Sequence, residues 1–153
     1  MKNSKEDLAR ARAFIAKIPF NAFLGLEILR AHPDGITLRC KVRQELLNSH
    51  GALHGGVTAS LVDVAVGVAI QHRFRGTRSI STVELKVSYF LPVTGGALLA
   101  RARLLRVGST LCVGRVDLSD NKGNLVGTAI VTYIFLDARG GKQAGGSPNA
   151  EGS

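Results

Sequence analysis

The stretch from Asn48 to Asp63 holds residues whose types and spacing could do chemistry. A polar turn with the sequence His54-Gly55-Gly56 runs into an apolar stretch, residues 57–71, which we predict to be one buried helix. The start of a helix carries free N–H groups and a partial positive charge, so it can bind an anion or a developing oxyanion. The glycines leave that backbone open to a ligand, although a glycine pair can also serve only to make a tight turn.

Asp63 lies in the middle of the predicted helix, between two valines. A carboxylate among apolar side chains is costly unless it is hydrogen-bonded, paired or open to a wet cleft. The helical spacing of Gly56, Ser60, Asp63 and Gly67 places it on a stripe of small residues that another group can approach closely. The spacing is equally compatible with a structural aspartate that is bonded to a neighbouring strand.

A distance limits how these residues can act together. Gly55 and Asp63 are eight residues apart in the chain, which is about 12 Å along a helix axis. A reacting carbonyl must lie about 3 Å from both its N–H donor and its attacking group. If the two residues share a site, Asp63 must therefore come from a second subunit, and the protein must be a homo-oligomer.

The rest of the chain supplies the elements that would position this stretch. We predict an N-terminal helix over residues 4–18 that Pro19 ends, a hairpin of two strands, the central helix and four further strands. In the third strand, alternation places Thr82 on the polar face, opposite the apolar residues. The predicted strands span residues 26–31, 36–43, 79–91, 97–107, 110–118 and 125–136.

This order of elements indicates an α+β fold in which an antiparallel sheet of five to six strands wraps around one central helix, with an additional N-terminal helix. We expect residues 1–137 to form a single domain. The Gly/Ser-rich segment 138–153 is predicted to be a disordered tail.

The pattern Asn48, His54-Gly55-Gly56 and Asp63 resembles the hotdog-fold acyl-CoA thioesterases of the phenylacetate-degradation (PaaI-like) type. The resemblance covers about residues 19–136 and implies a hotdog fold with active sites at a homodimer interface, the dimers often pairing into tetramers. Besides the central pattern, it includes Pro19-Phe20, Leu24-Gly25 and the Ser-Tyr-Phe-Leu-Pro run at 88–92.

Carried over to this chain, the resemblance implies that the Gly55 N–H binds the oxyanion and that Asp63 acts as general base or nucleophile. Asn48 and His54 would position the thioester, although a lone histidine at this place is more often a helix cap. Thr82 would help to hold the attacking water.

Substrate contacts are expected close to these residues, at Gly56 and Ser60. The basic loop residues Arg73, Arg75 and Arg78 are expected to hold the phosphates of coenzyme A. Coenzyme A is part of the substrate, so no separate cofactor is expected. An alternative set for the phosphates lies on a strand and comprises Arg101, Arg103 and Arg106.

Several other classes of protein are disfavoured. The net charge of +9 suggests nucleic acid, but the basic residues are scattered and no nucleic-acid-binding pattern is present, so a solvated basic surface explains the charge as well. His50 and His54 lie in a turn without a third soft ligand, so we predict no metal site. The sequence contains no Gly-x-Ser-x-Gly motif, so it does not indicate a serine hydrolase.

The sequence also predicts a cytoplasmic protein that does not insert into a membrane. We find no secretory signal peptide, and no stretch reaches the roughly 18 unbroken apolar residues of a membrane span. Cys40 and Cys112 are far apart in the chain and lie within strand patterns. Buried free thiols in a reducing compartment are the simplest account of them.

We therefore expect an acyl-CoA thioesterase that hydrolyses an acyl- or aryl-acyl-CoA to the free acid and coenzyme A. The alternative is a non-catalytic acyl-CoA-binding hotdog protein, in which Asp63 only satisfies the interface. A hotdog hydratase is a weaker option, because it would need a different acid/base pair. The sequence does not distinguish an aryl from an aliphatic acyl group.

Overall fold

The computed structural model describes residues 4–138 of the chain. Its helices are α1 (Ser4–Ala16), α2 (Pro19–Leu24) and α3 (Gly55–Arg73). The predicted N-terminal helix is shorter than expected, since α1 ends at Ala16 and Pro19 begins a second helix. Proline suits the first turn of a helix because the N–H it lacks has no partner there. Gly25 closes α2 in the left-handed conformation, with φ of 64°.

Six strands form one antiparallel sheet in the order β1-β2-β4-β5-β6-β3. This arrangement confirms the predicted α+β class and the wrapping of a single sheet around one helix. A short 3-10 turn (Gln44–Leu46) precedes the loop that leads into α3, and a second one follows the last strand. The strands are β1 (Leu26–His32), β2 (Gly35–Lys41), β3 (Ile80–Tyr89), β4 (Ala97–Val107), β5 (Leu111–Asp120) and β6 (Leu125–Phe135).

The core lies between α3 and the concave face of the sheet. Leu61, Val62 and Val66 on α3 are fully buried, and burial of one such side chain contributes about 1.5–3 kcal/mol. Gly114 on β5 lets the helix come close, because a Cβ at that position would lie 2.7 Å from Cγ1 of Val66. The strand residues that face the helix are also buried, among them Ile36, Leu38, Leu98, Ala100, Val116 and Val131.

The central helix is longer than predicted, because Gly55 and Gly56 form its first turn instead of preceding it. With 19 residues, α3 is long and apolar enough to pass for a membrane span by length and composition, but half of the apolar stretch is buried inside the protein. It packs against β2 and β4. Its apolar character is therefore accounted for by the core of the domain.

Strand β3 lies at one edge of the sheet and contains a β-bulge between Thr82 and Glu84. The prediction that Thr82 lies opposite the apolar residues of this strand is wrong, because the bulge adds one residue and puts Thr82 on the same face as Tyr89. The hydroxyl groups of Thr82 and Tyr89 both reach α3. Val83, which was expected on the apolar face, is 57% exposed.

The two cysteines are buried and unpaired, as predicted. Burial raises the pKa of both thiols, Cys40 and Cys112, so they stay protonated at neutral pH. The predicted tail, residues 138–153, lies outside the described residues apart from Ala138. The division of the chain into one domain and a tail stays a prediction.

Candidate active site

The start of α3 leaves one backbone donor free. His54 is the N-cap, and its Nδ1 accepts a hydrogen bond from the Gly56 N–H at 2.9 Å. The carbonyl oxygen of His54 accepts from the Val57 N–H at 2.9 Å. Among residues 4–138, the Gly55 N–H donates to no acceptor. Ser60, one turn later, donates its hydroxyl to the Gly56 carbonyl at 2.8 Å. The free donor is therefore the one that the sequence pattern selected for an oxyanion.

Asn48 shapes the loop that leads into the helix. Its Oδ1 accepts hydrogen bonds from the N–H groups of His50 at 2.9 Å and Ala52 at 3.1 Å. Its own N–H donates to the Ala52 carbonyl at 2.8 Å. Asn48, Gly55 and Tyr89 line the same cavity, of about 330 Å³. Asn48 and the free donor therefore border one space.

Asp63 is held by two hydroxyl groups from the sheet. Thr82 on β3 and Tyr133 on β6 each donate to its Oδ1 at 2.8 Å. Burial raises the pKa of Tyr133, so its hydroxyl remains protonated and can donate. Within the part of the chain that the structure describes, Oδ2 of Asp63 accepts no hydrogen bond. One carboxylate oxygen is fixed by the protein, and the other is free for chemistry.

The small residue one turn beyond Asp63 has a structural explanation. A Cβ at Gly67 would lie 2.8 Å from the Tyr133 hydroxyl, so only glycine lets this phenol reach the helix. The tyrosine hydroxyl also lies 2.9 Å from the backbone carbonyl of Asp63. The group that approaches the predicted small-residue stripe at this point is therefore Tyr133 of the same chain.

These two clusters lie on one continuous helix. Gly55 and Asp63 remain separated by about 12 Å along its axis. The structure brings together Asn48, His54 and Gly55 at the helix start, and separately Asp63 and Thr82 in its middle. The two predicted halves of the site do not meet within one chain.

The predicted phosphate-binding arginines differ in their surroundings. Arg78 donates to Asp137 at 2.7 Å and lies 3.9 Å from the centre of the Phe135 ring, so it is already engaged in the fold. Arg73 and Arg75 are exposed and form no ion pair among residues 4–138.

Two of the three arginines of the alternative set, Arg101 and Arg103, form ion pairs with carboxylates of the same chain. Arg101 pairs with Asp34, and Arg103 pairs with Asp117 at 2.6 Å. The hydrogen bond from Arg101 holds the pKa of Asp34 below its usual range. Arg73 and Arg75 therefore remain the better candidates for a phosphate.

Neither of the two tyrosines of the chain was predicted as a site residue. Tyr89 donates to the Gly55 carbonyl at 2.7 Å, and Tyr133 donates to Asp63 at 2.8 Å. Two signals were present: both tyrosines fall within predicted strands, and Tyr89 belongs to the Ser-Tyr-Phe-Leu-Pro run of the resemblance. Their partners on α3 depend on how the sheet curves around the helix, which residue spacing does not encode.

Among residues 4–138, no group of three histidine, cysteine, aspartate or glutamate side chains is arranged to hold a metal ion. His50 lies in the turn before α3 and His54 caps the helix, whereas Asp63, the next acidic residue in the chain, lies two turns into the helix.

Comparisons with known proteins agree with this geometry. Residues 50–127 match the family described as Thioesterase superfamily. The medium/long-chain acyl-CoA thioesterase YigI of Escherichia coli K12 is 31% identical over 136 residues, covering 79% of this chain and 88% of that protein. Human acyl-coenzyme A thioesterase 13 is 34% identical over 103 residues, covering 66% of this chain and 73% of that protein.

Solved structures show the same architecture. Zebrafish thioesterase superfamily member 2 superposes with a TM-score of 0.74 at 32% identity, covering 84% of this chain and 94% of that chain. A mutant of the phenylacetic acid degradation protein PaaI of Thermus thermophilus gives a TM-score of 0.69 at 28% identity, covering 77% of this chain and 99% of that chain.

A six-stranded sheet around one helix, with a free donor at the helix start and a carboxylate in its middle, defines a hotdog-fold thioester hydrolase. The chain belongs to the thioesterase superfamily. The PaaI-like relationship predicted from the His54-Gly55-Gly56 and Asp63 pattern is confirmed.

Proposed function

We propose that the protein hydrolyses acyl-CoA thioesters at a site that two subunits share. The Gly55 N–H of one subunit polarises the thioester carbonyl, and Asp63 of the other supplies the carboxylate. The observation that carries this proposal is the free Gly55 N–H on the same continuous helix as Asp63, about 12 Å away along the axis.

The carboxylate has the geometry that either of two mechanisms needs. Thr82 and Tyr133 hold Oδ1 of Asp63, which leaves Oδ2 to remove a proton from water or to attack the carbonyl carbon. In both cases the carbonyl oxygen becomes an oxyanion that Gly55 stabilises, and the carbon–sulfur bond breaks. If Asp63 acts as base, the proton that it removes from water passes to the departing thiolate, and coenzyme A leaves as the thiol. If Asp63 attacks the carbon, a mixed anhydride forms as the thiolate leaves, and water then hydrolyses the anhydride to the free acid, restores the carboxylate and supplies the proton of the thiol.

The free edge of the sheet supports a dimer in which such a site can form. Strand β3 is ten residues long, and no strand of the described residues pairs with its outer side. An exposed edge strand with apolar side chains is a template for pairing with a second strand. Leu85 and Tyr89 on β3 are 38% and 55% exposed. We propose a homodimer through this edge, with dimers able to pair into a tetramer.

The acyl-CoA substrate is proposed from the relatives as well as from the site. YigI acts on medium/long-chain acyl-CoA according to its name, and we propose an aliphatic acyl group of that length for this chain. Arg73 and Arg75, exposed at the end of α3, would hold the coenzyme A phosphates. We propose that hydrolysis needs no further cofactor and takes place in the cytoplasm.

Asp63→Asn tests the chemistry. The amide can still accept hydrogen bonds from Thr82 and Tyr133, but it can neither remove a proton from water nor attack a carbonyl. We expect kcat for decanoyl-CoA to fall about 10²-fold or more, with binding and thermal stability nearly unchanged. Glu27→Gln, which removes a carboxylate from strand β1, is the control. Turnover within about threefold of wild type would favour the non-catalytic acyl-CoA-binding protein.

Mixing two inactive variants tests whether the site is shared. Gly55→Pro removes the N–H at the first helical position, where proline is tolerated, and Gly55→Ala is the control that keeps it. After Gly55→Pro and Asp63→Asn subunits are unfolded together and refolded, half of the dimers carry one intact site. A shared site therefore predicts recovery of about a quarter of wild-type activity. No recovery, with mixed dimers confirmed by mass spectrometry, would mean that activity needs Gly55 and Asp63 from the same subunit, and the shared site would be wrong.

A further inference from the structure

Two side chains hold the peptide group that joins Gly55 to Gly56 at the start of α3. The hydroxyl of Tyr89 donates to the carbonyl oxygen of this peptide at 2.7 Å, and Nδ1 of His54 accepts from its N–H at 2.9 Å. The carbonyl and the N–H of a trans peptide point in opposite directions within one plane. The peptide is therefore held at both ends, by the helix cap on one side and by strand β3 on the other.

The free N–H of Gly55 lies directly beside this peptide. Only the φ and ψ angles of Gly55 separate the N–H from the peptide that follows it. Glycine adopts a wide range of both angles, and the N–H groups in the first turn of a helix have no intrahelical acceptor to restrain them. The contacts of the following peptide therefore decide how firmly the Gly55 N–H is aimed.

The backbone that carries Tyr89 has a fixed position. Strand β3 ends at Tyr89, which pairs with Gly127 on β6, and the N–H of Phe90 donates to the Val126 carbonyl at 2.8 Å. A Cβ at Gly127 would lie 2.7 Å from the Ser88 carbonyl oxygen, so only glycine lets the two strands come this close. The end of β3 is thus anchored on its neighbour and can serve as a support for α3.

The side chain of Tyr89 suits this contact. A tyrosine hydroxyl ionises only near about pH 10, so it is protonated at neutral pH and can donate. The Tyr89 ring lines the cavity of about 330 Å³ that Gly55 also lines. A Cβ at Gly55 would lie 3.4 Å from the Tyr89 hydroxyl, which is an ordinary contact. Gly55→Ala therefore leaves room for the tyrosine and remains a valid control.

We propose that Tyr89 is a positioning residue for the oxyanion, because it holds the peptide after Gly55 and thereby aims the Gly55 N–H at the thioester carbonyl. A donor that is fixed beforehand stabilises the oxyanion without reorganising as the charge develops. The hydroxyl groups of Thr82 and Tyr89 then have parallel roles on β3, since one fixes Asp63 and the other fixes Gly55. This inference rests on the proposed function, which assigns the oxyanion to Gly55.

Tyr89→Phe tests the role, because it keeps the ring and removes only the hydroxyl. We expect kcat for decanoyl-CoA to fall about fivefold with KM nearly unchanged, since the donor acts mainly on the transition state. Ser88→Ala is the control. It removes a hydroxyl from the neighbouring residue, which points to the other face of the strand, and should leave kcat intact. An unchanged kcat in Tyr89→Phe overturns the inference.

The carbonyl stretching frequency of a bound ligand reports the donor directly. The probe is the ketone analogue of decanoyl-CoA in which a methylene group replaces the sulfur, with an isotope-labelled carbonyl carbon for infrared difference spectroscopy. A hydrogen bond to the oxygen lowers the frequency. We expect Gly55→Pro to remove this lowering and Tyr89→Phe to remove part of it, whereas Gly55→Ala and Ser88→Ala should keep it.

A double variant shows whether Tyr89 acts through Gly55. In protein that already carries Gly55→Pro, adding Tyr89→Phe should change the frequency no further, because residues that act through one group are not additive. A further change would mean that the tyrosine hydroxyl contacts the ligand itself, and the positioning role would be wrong.

The same spectra separate this inference from the proposed function, because the ketone binds without being hydrolysed. If Gly55→Pro leaves the frequency unchanged, Gly55 does not polarise the carbonyl, and the proposed function fails together with the role of Tyr89. If Gly55→Pro removes the lowering but Tyr89→Phe keeps all of it, the proposed function stands and the role of Tyr89 alone is wrong. Calorimetry with the ketone confirms that each variant folds and binds.

Discussion

Two hydroxyl groups, and no charged side chain, hold the carboxylate of Asp63 in place. Thr82 and Tyr133 donate to the same carboxylate oxygen at 2.8 Å. Hydrogen bonds to a charged group contribute about 1.5–3 kcal/mol each. Neither donor is itself a charged side chain, so Asp63 is held by hydrogen bonds and not by an ion pair. The orientation of Oδ2 therefore depends on side chains from two strands.

Thr82 is a positioning residue, and its contribution should appear in kcat. Thr82→Val keeps the shape but removes the hydroxyl that holds Asp63, so we expect kcat to fall about tenfold with KM nearly unchanged. Thr82→Ser restores the hydroxyl and should recover most of the activity. Steady-state kinetics with decanoyl-CoA make the comparison. If Thr82 served only stability, Thr82→Val would have a lower melting temperature, and kcat would not follow the presence of the hydroxyl group in Thr82→Val and Thr82→Ser.

At the level of elements, α3 carries both halves of the proposed site, and its start is held by a histidine cap. Nδ1 of His54 accepts from the Gly56 N–H at 2.9 Å, which is the bond that serine, threonine or asparagine usually provides. Because this cap occupies the neighbouring donor, the Gly55 N–H is the free one in the first turn. The cap thus helps to set which backbone N–H remains free at the start of the helix.

Substitutions of His54 distinguish a role as helix cap from a role in catalysis. His54→Ala should destabilise the fold by about 1 kcal/mol, which for a chain of this size lowers the melting temperature by about 2–4 °C. His54→Asn restores an N-cap and should recover the stability. Recovery of kcat with His54→Asn would assign the histidine to capping alone. Stability without activity would show that the imidazole also contacts the thioester.

For the molecule as a whole, the two edges of the sheet offer a matched comparison. Strand β3 forms one edge and β1 the other. The side chains of Leu85 on β3 and Leu29 on β1 are 38% and 37% exposed. The two leucines are equally exposed in the isolated chain, but the proposed dimer buries only the one on the β3 edge.

Charging the proposed interface should separate the subunits. Leu85→Lys places a charge at the β3 edge and is expected to convert the dimer to a 16.2 kDa monomer with loss of activity. Leu29→Lys should leave both dimer and activity intact. Sedimentation at micromolar concentration measures the mass beside the hydrolysis assay. An active monomer, in wild type or variant, would contradict both the interface and the shared site.

Local residue patterns were sufficient for much of this description. Continuous apolar character predicted α3, and the predicted strand 36–43 alternates in step with burial, since Ile36, Leu38 and Cys40 are all fully buried. These patterns are readable because helix and strand periods act over a few neighbouring residues. The pair His54 and Asp63 also stood out, because a glycine-rich helix start and a carboxylate in an apolar helix are both unusual locally.

The surroundings of Asp63 could not be predicted in the same way. Thr82 was expected on the wrong face because a single bulged residue reverses the alternation without a clear mark in the sequence. Tyr133 lies 70 residues after the aspartate it contacts. Contacts between such distant residues arise from the curvature of the sheet around α3. They depend on the positions of whole elements, which no short residue pattern specifies.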